Sequence, residues 1–357
     1  MAKEEKQAGP AEGEDAPLQW HSPKEPPFQV AGLAWFAEEE LYRRLPMKPG
    51  HPIRPAVDAL ANHTSGAQLR FRTNSARLSV RVRLLSPSGM NHMPATGQCG
   101  FDCYLGTAEG LKYCSTTKFP RDDIAYECAL LNFSASEMRD VVLNFPLYQG
   151  VEEVLIGLDS DAGIESPAPY ANDRRVIVYG TSITQGGCAC RPGTSYTNIL
   201  SRCLNVEFIN LGFSGNGRGD PELAHLIAEI ERAGCYVLDY EANATETYYD
   251  TLEPFIGILR DAAPDTPILV VSRILPAGDQ FDEEGRARRK AMREFAQGVV
   301  GKLQNAGDEN LRFVDGAGLL GENWEECTVD GSHPSDLGFM RMADALEGVV
   351  YRMLNAE

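Results

Sequence analysis

The chain has 357 residues, 43% of them hydrophobic, and at roughly 100–200 residues per domain that length points to two domains. Its 51 acidic residues outnumber 33 basic ones for a formal net charge of −18, which repels phosphate backbones and excludes nucleic acid as an expected partner. No window approaches the ~20 consecutive apolar residues of a membrane span, and the start, Met1-Ala2-Lys3-Glu4-Glu5-Lys6, lacks the apolar core of a secretory signal, so the expectation is a cytoplasmic protein with no membrane partner.

Residues 1–26 are rich in Lys, Glu, Ala, Gly and Pro, a composition that buries too little to offset its ordering entropy, and they are expected to form a disordered tail. From 27 to 170 the chain reads as strands. In Arg77-Leu78-Ser79-Val80-Arg81-Val82-Arg83-Leu84 every second residue is apolar, as a pleated strand with one wet face requires. Similar runs at Leu69 to Arg72, Phe101 to Leu105, Val141 to Phe145 and Val154 to Leu158, without intervening helices, predict a β-sandwich domain. From 171 to 357 the style changes. Apolar strands at Val176 to Tyr179, Phe208 to Leu211, Cys235 to Leu238, Ile268 to Val271 and Arg312 to Val314 alternate with helix-length segments, one of them starting at Asp220-Pro221, where Asp suits the cap and Pro the first turn. Such a pattern predicts an α/β domain whose parallel five-stranded sheet is covered on both faces and binds ligands at the carboxyl ends of its strands.

The chemistry-bearing residues fall at those ends. The first strand runs into Gly180-Thr181-Ser182, where small Gly180 leaves the serine hydroxyl accessible; the lysine and spacing of a P-loop are missing. The second ends at Asn210-Leu211-Gly212-Phe213-Ser214-Gly215-Asn216-Gly217, and the third is followed by Glu241-Ala242-Asn243-Ala244. The backbone N–H groups of Ser182 and Gly212 with the Asn243 side chain supply the three converging donors of an oxyanion hole, although Gly212 and Asn243 taken singly are ordinary turn residues. Arg218-Gly219-Asp220 reads as a turn and helix cap. Near the end, Asp330-Gly331-Ser332-His333 sets a carboxylate three residues before an imidazole, so that one ring nitrogen is held while the other faces the serine. The other histidines, His63 and His92 among them, read as structural or solvent-facing.

Taken in this order at these strand ends, the segments resemble the consensus blocks of the SGNH (GDSL-like) hydrolase superfamily over about 172–350. The resemblance implies a flavodoxin-like three-layer α/β/α domain with Ser182 as nucleophile, Gly212 and Asn243 as oxyanion donors, and the Asp330-His333 pair as base. Thr181 stands where many members have Asp, and Ala242 and Ala244 flank Asn243 where Gly and Asp are common. Upstream, Gly100-Phe101-Asp102-Cys103-Tyr104 is similar to the Gly-x-Asp-Leu-Tyr signature of a jelly-roll-like sandwich that precedes some SGNH esterases. If that sandwich packs over the strand ends, Asp102 and Tyr104 rim the pocket and bind substrate; Asp102 reads equally as a strand-edge residue.

These readings converge on a serine esterase that needs no metal and no cofactor, acting on short acyl esters, O-acetyl groups of a carbohydrate or oligosaccharide by analogy. The alternatives are a lysophospholipase or thioesterase with the same catalytic group, or a carbohydrate-binding protein without turnover. A homo-oligomer stays open. The nine cysteines, with Cys188 and Cys190 too close for a redox or zinc pair, read as free thiols of a reducing compartment.

Overall fold

Strands with one apolar face must bury it against another layer, and the N-terminal half does so with two antiparallel sheets. The computed structural model describes residues 16–107 and 110–355. In chain order the strands are β1 (Gln19–His21), β2 (Gln29–Ala31), β3 (Gln68–Thr73), β4 (Arg77–Leu84), β5 (Asp102–Thr107), β6 (Gly110–Thr116), β7 (Ala125–Asn132), β8 (Arg139–Asn144), β9 (Val151–Leu158) and β10 (Ile164–Glu165). One sheet has the order β1-β9-β4-β7; the other runs β10-β3-β8-β5-β6, with β2 paired to β3. The alternation in β4 is realised as expected: Leu78, Val80, Val82 and Leu84 point into the sandwich core while Arg81 and Arg83 face solvent. Short helices α1 (Phe36–Glu39), α2 (Pro55–Ala61) and α3 (Ala95–Cys99) lie in the connections.

The expected tail extends too far. Residues 1–15 lie outside the described residues, but Gln19–His21 already pairs with Ile156–Leu158 of β9. Trp20 explains the ordering, because its ring lies 4.1 Å from the Arg81 guanidinium carbon and occupies the space that a side chain at Gly157 would fill.

The second half is built on β11 (Arg175–Gly180), β12 (Phe208–Gly212), β13 (Ala233–Asp239), β14 (Ile268–Val271) and β15 (Leu311–Val314), all parallel in the order β12-β11-β13-β14-β15. That is the flavodoxin-like order. Its helices are α4 (Ser182–Gln185), α5 (Tyr196–Leu204), α6 (Pro221–Ala228), α7 (Glu241–Ala244), α8 (Tyr248–Ala262), α9 (Glu283–Asn305) and α10 (Asp336–Leu354). Successive residues of β11 face opposite ways: Ile177 and Tyr179 join the core under α6, α8 and α9, Val176 and Val178 the core under α5 and α10. Both faces are therefore dry, which is why these strands are continuous apolar runs. Pro221 opens α6 as expected, but Asp220 does not cap it with its side chain, because both carboxylate oxygens are 2.8 Å from the Arg54 guanidinium.

Arg44 stitches the halves together. Fully buried, it donates to the carbonyls of Leu60 and His63 on its own side and of Asn210 and Gly212 at the end of β12, and it lies over the Phe213 ring. Burial pushes its pKa down to about 9, so it stays a cation at neutral pH. Ser65 adds a second tie by donating to the Gln185 carbonyl at 2.7 Å. No helix among the described residues is long and apolar enough to cross a membrane.

Candidate active site

The site lies where β11 turns into α4. A side chain at Gly180 would collide with the Thr184 hydroxyl and the Asp239 carbonyl, so only glycine lets the two elements close up this tightly. Thr181 caps α4 by accepting from the Ile183 N–H, and Gly186 ends the turn at a φ of 96°. Ser182 is thus the first residue of the helix, with a backbone N–H that has no acceptor among the described residues. The Tyr148 hydroxyl steadies the turn by donating to the Ser182 carbonyl at 3.1 Å.

Opposite this turn, the loop before α10 is shaped by its own carboxylate. Asp330 Oδ1 accepts the N–H groups of Ser332 and His333, at 3.0 and 2.8 Å, and Gly331 takes the positive φ of 83° that the tight turn demands. Asp330 Oδ2 holds His333 Nδ1 at 2.7 Å, and His333 Nε2 lies 2.8 Å from Ser182 Oγ. Burial by itself raises the Asp330 pKa, but the backbone and ring N–H groups of His333 and the Ser332 N–H outweigh it and bring it down to about 2. An ionised Asp330 places the ring proton on Nδ1 and leaves the Nε2 lone pair for the serine hydroxyl proton. All three expected residues are therefore in hydrogen-bonded sequence.

Of the expected oxyanion donors, Gly212 has to be corrected. Its N–H is spent on the Asn210 side chain, whose Oδ1 accepts it at 2.9 Å, while Asn210 Nδ2 donates to the Thr184 carbonyl and the Thr197 hydroxyl. A side chain at Gly212 would also run into the backbone of Thr184 and Gln185, so this glycine serves the packing of β12 against α4. Farther along the same loop, the N–H groups of Phe213, Ser214, Asn216 and Gly217 are occupied by the carbonyls of Gly180 and Phe213 and by Gln185 Oε1. The Gly215 N–H has no acceptor among the described residues, and the residue has a φ of 68° with open space beside it. Asn243 lies in α7 with its Oδ1 buried and unpartnered among the described residues, an uncommon and costly state, and its Nδ2 makes no hydrogen bond to them.

Asp102 and Tyr104 do not rim a pocket. Asp102 is 0% exposed; Oδ1 accepts from Asn144, and Oδ2 from the Gly193 N–H at 2.7 Å and from Arg191 at 2.9 Å. The Tyr104 hydroxyl donates to the Gly193 carbonyl and accepts from Arg191. The two side chains do share a face of β5, as alternation predicts, but the segment around Arg191 to Thr194 covers that face. The motif clamps the sandwich to the stretch that leads from α4 into α5.

Other contributors escaped sequence reasoning. Gln185 bridges three segments, donating to His63 Nδ1 and the Leu147 carbonyl and accepting from Ser214. The Asp239 carboxylate accepts from the hydroxyls of Thr184 and Tyr196, both at 2.9 Å, and burial pushes its pKa up to about 7 against the lowering effect of those bonds. Glu241 takes the Arg273 N–H and is likewise raised to about 7, chiefly by burial. A buried polar residue within an apolar strand, as Asn210 is, was the one available signal. His92 does not stay apart in the sandwich: its ring is centred 5.8 Å from that of His333. Among the described residues His92, Cys188, Asp330 and His333 form a group able to hold a metal ion. All nine cysteines are free thiols.

Residues 173–351 match the family model of the GDSL-like lipase/acylhydrolase family, and residues 18–164 match that of the GxDLY N-terminus of SGNH-hydrolase-type esterases. No curated protein matches by sequence. Among solved structures, a protein described as a GDSL-like lipase from Bacteroides ovatus is 29% identical, with a TM-score of 0.87 over 94% of this chain and 98% of its own. A salicylyl-acyltransferase of a tetracycline biosynthetic pathway is 20% identical, with a TM-score of 0.73 over 92% of this chain and 95% of its own. A family two carbohydrate esterase from Cellvibrio japonicus is 14% identical, with a TM-score of 0.60 over 95% and 98%; these last two likenesses speak to fold alone. With the catalytic block over half its length and the GxDLY domain ahead of it, the chain belongs to the GDSL-like lipase/acylhydrolase family and is an SGNH-type esterase.

Proposed function

We propose that the protein is a serine esterase that removes short acyl groups, acetyl in particular, from a carbohydrate through a covalent acyl-enzyme on Ser182. The observation that carries this reading is the unbroken relay from Ser182 Oγ through His333, at 2.8 Å, to Asp330, at 2.7 Å. His333 takes the hydroxyl proton as Ser182 attacks the ester carbonyl, returns it to the leaving alcohol, and then draws a proton from the water that hydrolyses the acyl-serine. The developing oxyanion is received by the N–H groups of Ser182 and Gly215 and by Asn243 Nδ2, none of which has an acceptor among the described residues. In this scheme Gly215 replaces Gly212. Asp102 and Tyr104 have no substrate role in it.

The carbohydrate part rests on fold relatives. Besides the Cellvibrio enzyme, a family two carbohydrate esterase from Clostridium thermocellum in complex with cellohexaose aligns over 81% of this chain, with 17% identity and a TM-score of 0.54. Free thiols throughout suit the reducing cytoplasm. The deciding experiment is p-nitrophenyl ester hydrolysis from acetyl to dodecanoyl, with Ser182→Ala as control, followed by acetate release from acetylated oligosaccharides. Turnover that falls with chain length and vanishes in the variant is expected. Preference for long chains points to a lipase, and turnover that survives Ser182→Ala removes the mechanism.

A further inference from the structure

A second chemistry is built around the relay. His92, from the loop before α3, Cys188, three residues past the end of α4, and Asp330 and His333, from the loop before α10, each offer one donor atom, and all four atoms lie within 4.8 Å of one another. A tetrahedral zinc ion with Zn–N near 2.0 Å and Zn–S near 2.3 Å sets the ligand atoms of a one-thiolate site about 3.3 to 3.5 Å apart. The group therefore has to close by at most about 1.5 Å, within the reach of side-chain rotations.

Two of the four, His92 and Cys188, take no part in the relay, and their positions are fixed by their surroundings. Met93 buries itself in the core under α5 and α10 and tethers neighbouring His92. Cys188 is buried, yet it adopts a φ of 76°, a left-handed conformation uncommon outside glycine, asparagine and aspartate, so its thiol is held toward Asp330 at a conformational cost. One soft thiolate, two imidazoles and a carboxylate make a donor set suited to zinc and poorly suited to magnesium or calcium.

We propose that this cluster is an inhibitory zinc site that switches off the esterase by taking its base. Cys188 releases its thiol proton to solvent on binding, and His92 and His333 each contribute a nitrogen lone pair. A neutral imidazole has one such pair. Whichever nitrogen of His333 coordinates the metal, none remains to accept the Ser182 proton, and hydrolysis stops. Asp330 completes the coordination or stays on the imidazole as an outer partner.

The inhibition rests on the reading of His333 as base; the metal binding does not, and the two are separable. Chelator-treated full-length protein is titrated with zinc chloride during p-nitrophenyl acetate hydrolysis, and with cobalt(II) chloride in an absorption spectrometer. The expected result is loss of turnover with one equivalent of zinc, restored by EDTA, and a thiolate-to-cobalt charge-transfer band with tetrahedral d–d bands. Cys188→Ser and His92→Gln should each raise the half-inhibiting zinc concentration at least about tenfold while metal-free turnover is unchanged, and Cys188→Ser should abolish the charge-transfer band. Ser182→Ala should bind cobalt as the native protein does, so a cobalt signal without turnover of any ester retains the site and overturns only the esterase reading. Equal zinc sensitivity of the native protein and both variants, or no inhibition at millimolar zinc, overturns the proposal.

Discussion

Two aspartates anchor two loops of this molecule, and the contrast between them separates a reacting group from a strut. Asp330 accepts two backbone N–H groups and one ring nitrogen on a part-exposed loop, with its side chain 34% accessible. Asp102 accepts a backbone N–H, an amide and a guanidinium, but at 0% exposure. The hydrogen-bond inventories are nearly the same. What differs is the partner that each carboxylate orients: an imidazole open to an incoming ester in one case, a backbone segment sealed under a sheet in the other. A carboxylate's partners tell what it holds, and its exposure tells whether that thing can react.

The sharpest way to test the contrast is to remove each carboxylate and its dependants and to read activity and stability separately. Ser182→Ala and His333→Ala should each lower kcat by about 10⁶-fold, and Asp330→Ala by about 10⁴-fold, with melting temperatures close to native. Asp330→Ala should retain measurably more turnover than His333→Ala; equal and complete loss in both would show that the ring cannot orient without the carboxylate. Asp102→Ala should do the opposite, costing about 3–5 kcal/mol of stability by stranding Arg191 and the Gly193 N–H, with kcat per folded molecule preserved. A selective loss of kcat in thermally stable Asp102→Asn would break the comparison and return this residue to the site.

Smaller effects refine it. Asn243→Ala should cost about 10²–10³-fold in kcat with little change in KM, as expected of a donor that engages only the transition state. Gly212→Ala should fail through packing, since its new methyl meets backbone, and a drop in melting temperature exceeding any drop in kcat checks this. Asp239 gives the mildest signal. Its pKa is raised in the folded state, from 3.8 to about 7, so the folded protein holds this proton more tightly than the unfolded one and loses stability as pH rises from about 4 to about 7. Asp239→Asn should flatten that part of the pH–stability curve and raise the melting temperature at pH 8, measured by scanning calorimetry. A curve that keeps its slope would assign the slope to other groups.

The five parallel strands were legible because burial on both faces leaves almost no polar residue in them, and the relay was legible because Asp330 and His333 are close in sequence and form their own turn. β6 was not, since none of its side chains is buried, and in β7 the inward Tyr126, Cys128 and Leu130 alternate with two alanines and lose step at buried Leu131. That the Gly212 N–H is taken was hidden for a comparable reason. Gly212 and Gly215 are equally small, and only the Asn210 side chain, two residues away in a strand, decides which N–H is free. The face of β5 carrying Asp102 and Tyr104 was placed correctly, but what covers it comes from residues about 90 positions later, across the seam between the halves.

Arg44 carries a consequence for how the chain is made. The sites that satisfy its guanidinium at the end of β12 lie 166 and 168 positions downstream, so the cation leaves the ribosome long before the Asn210 and Gly212 carbonyls exist. Until they arrive, the sandwich has a charged group that it cannot afford to bury. The N-terminal half therefore waits on the C-terminal one for its final state, and a boundary that looks like a convenient place to cut is, for the nascent chain, the last seam to close.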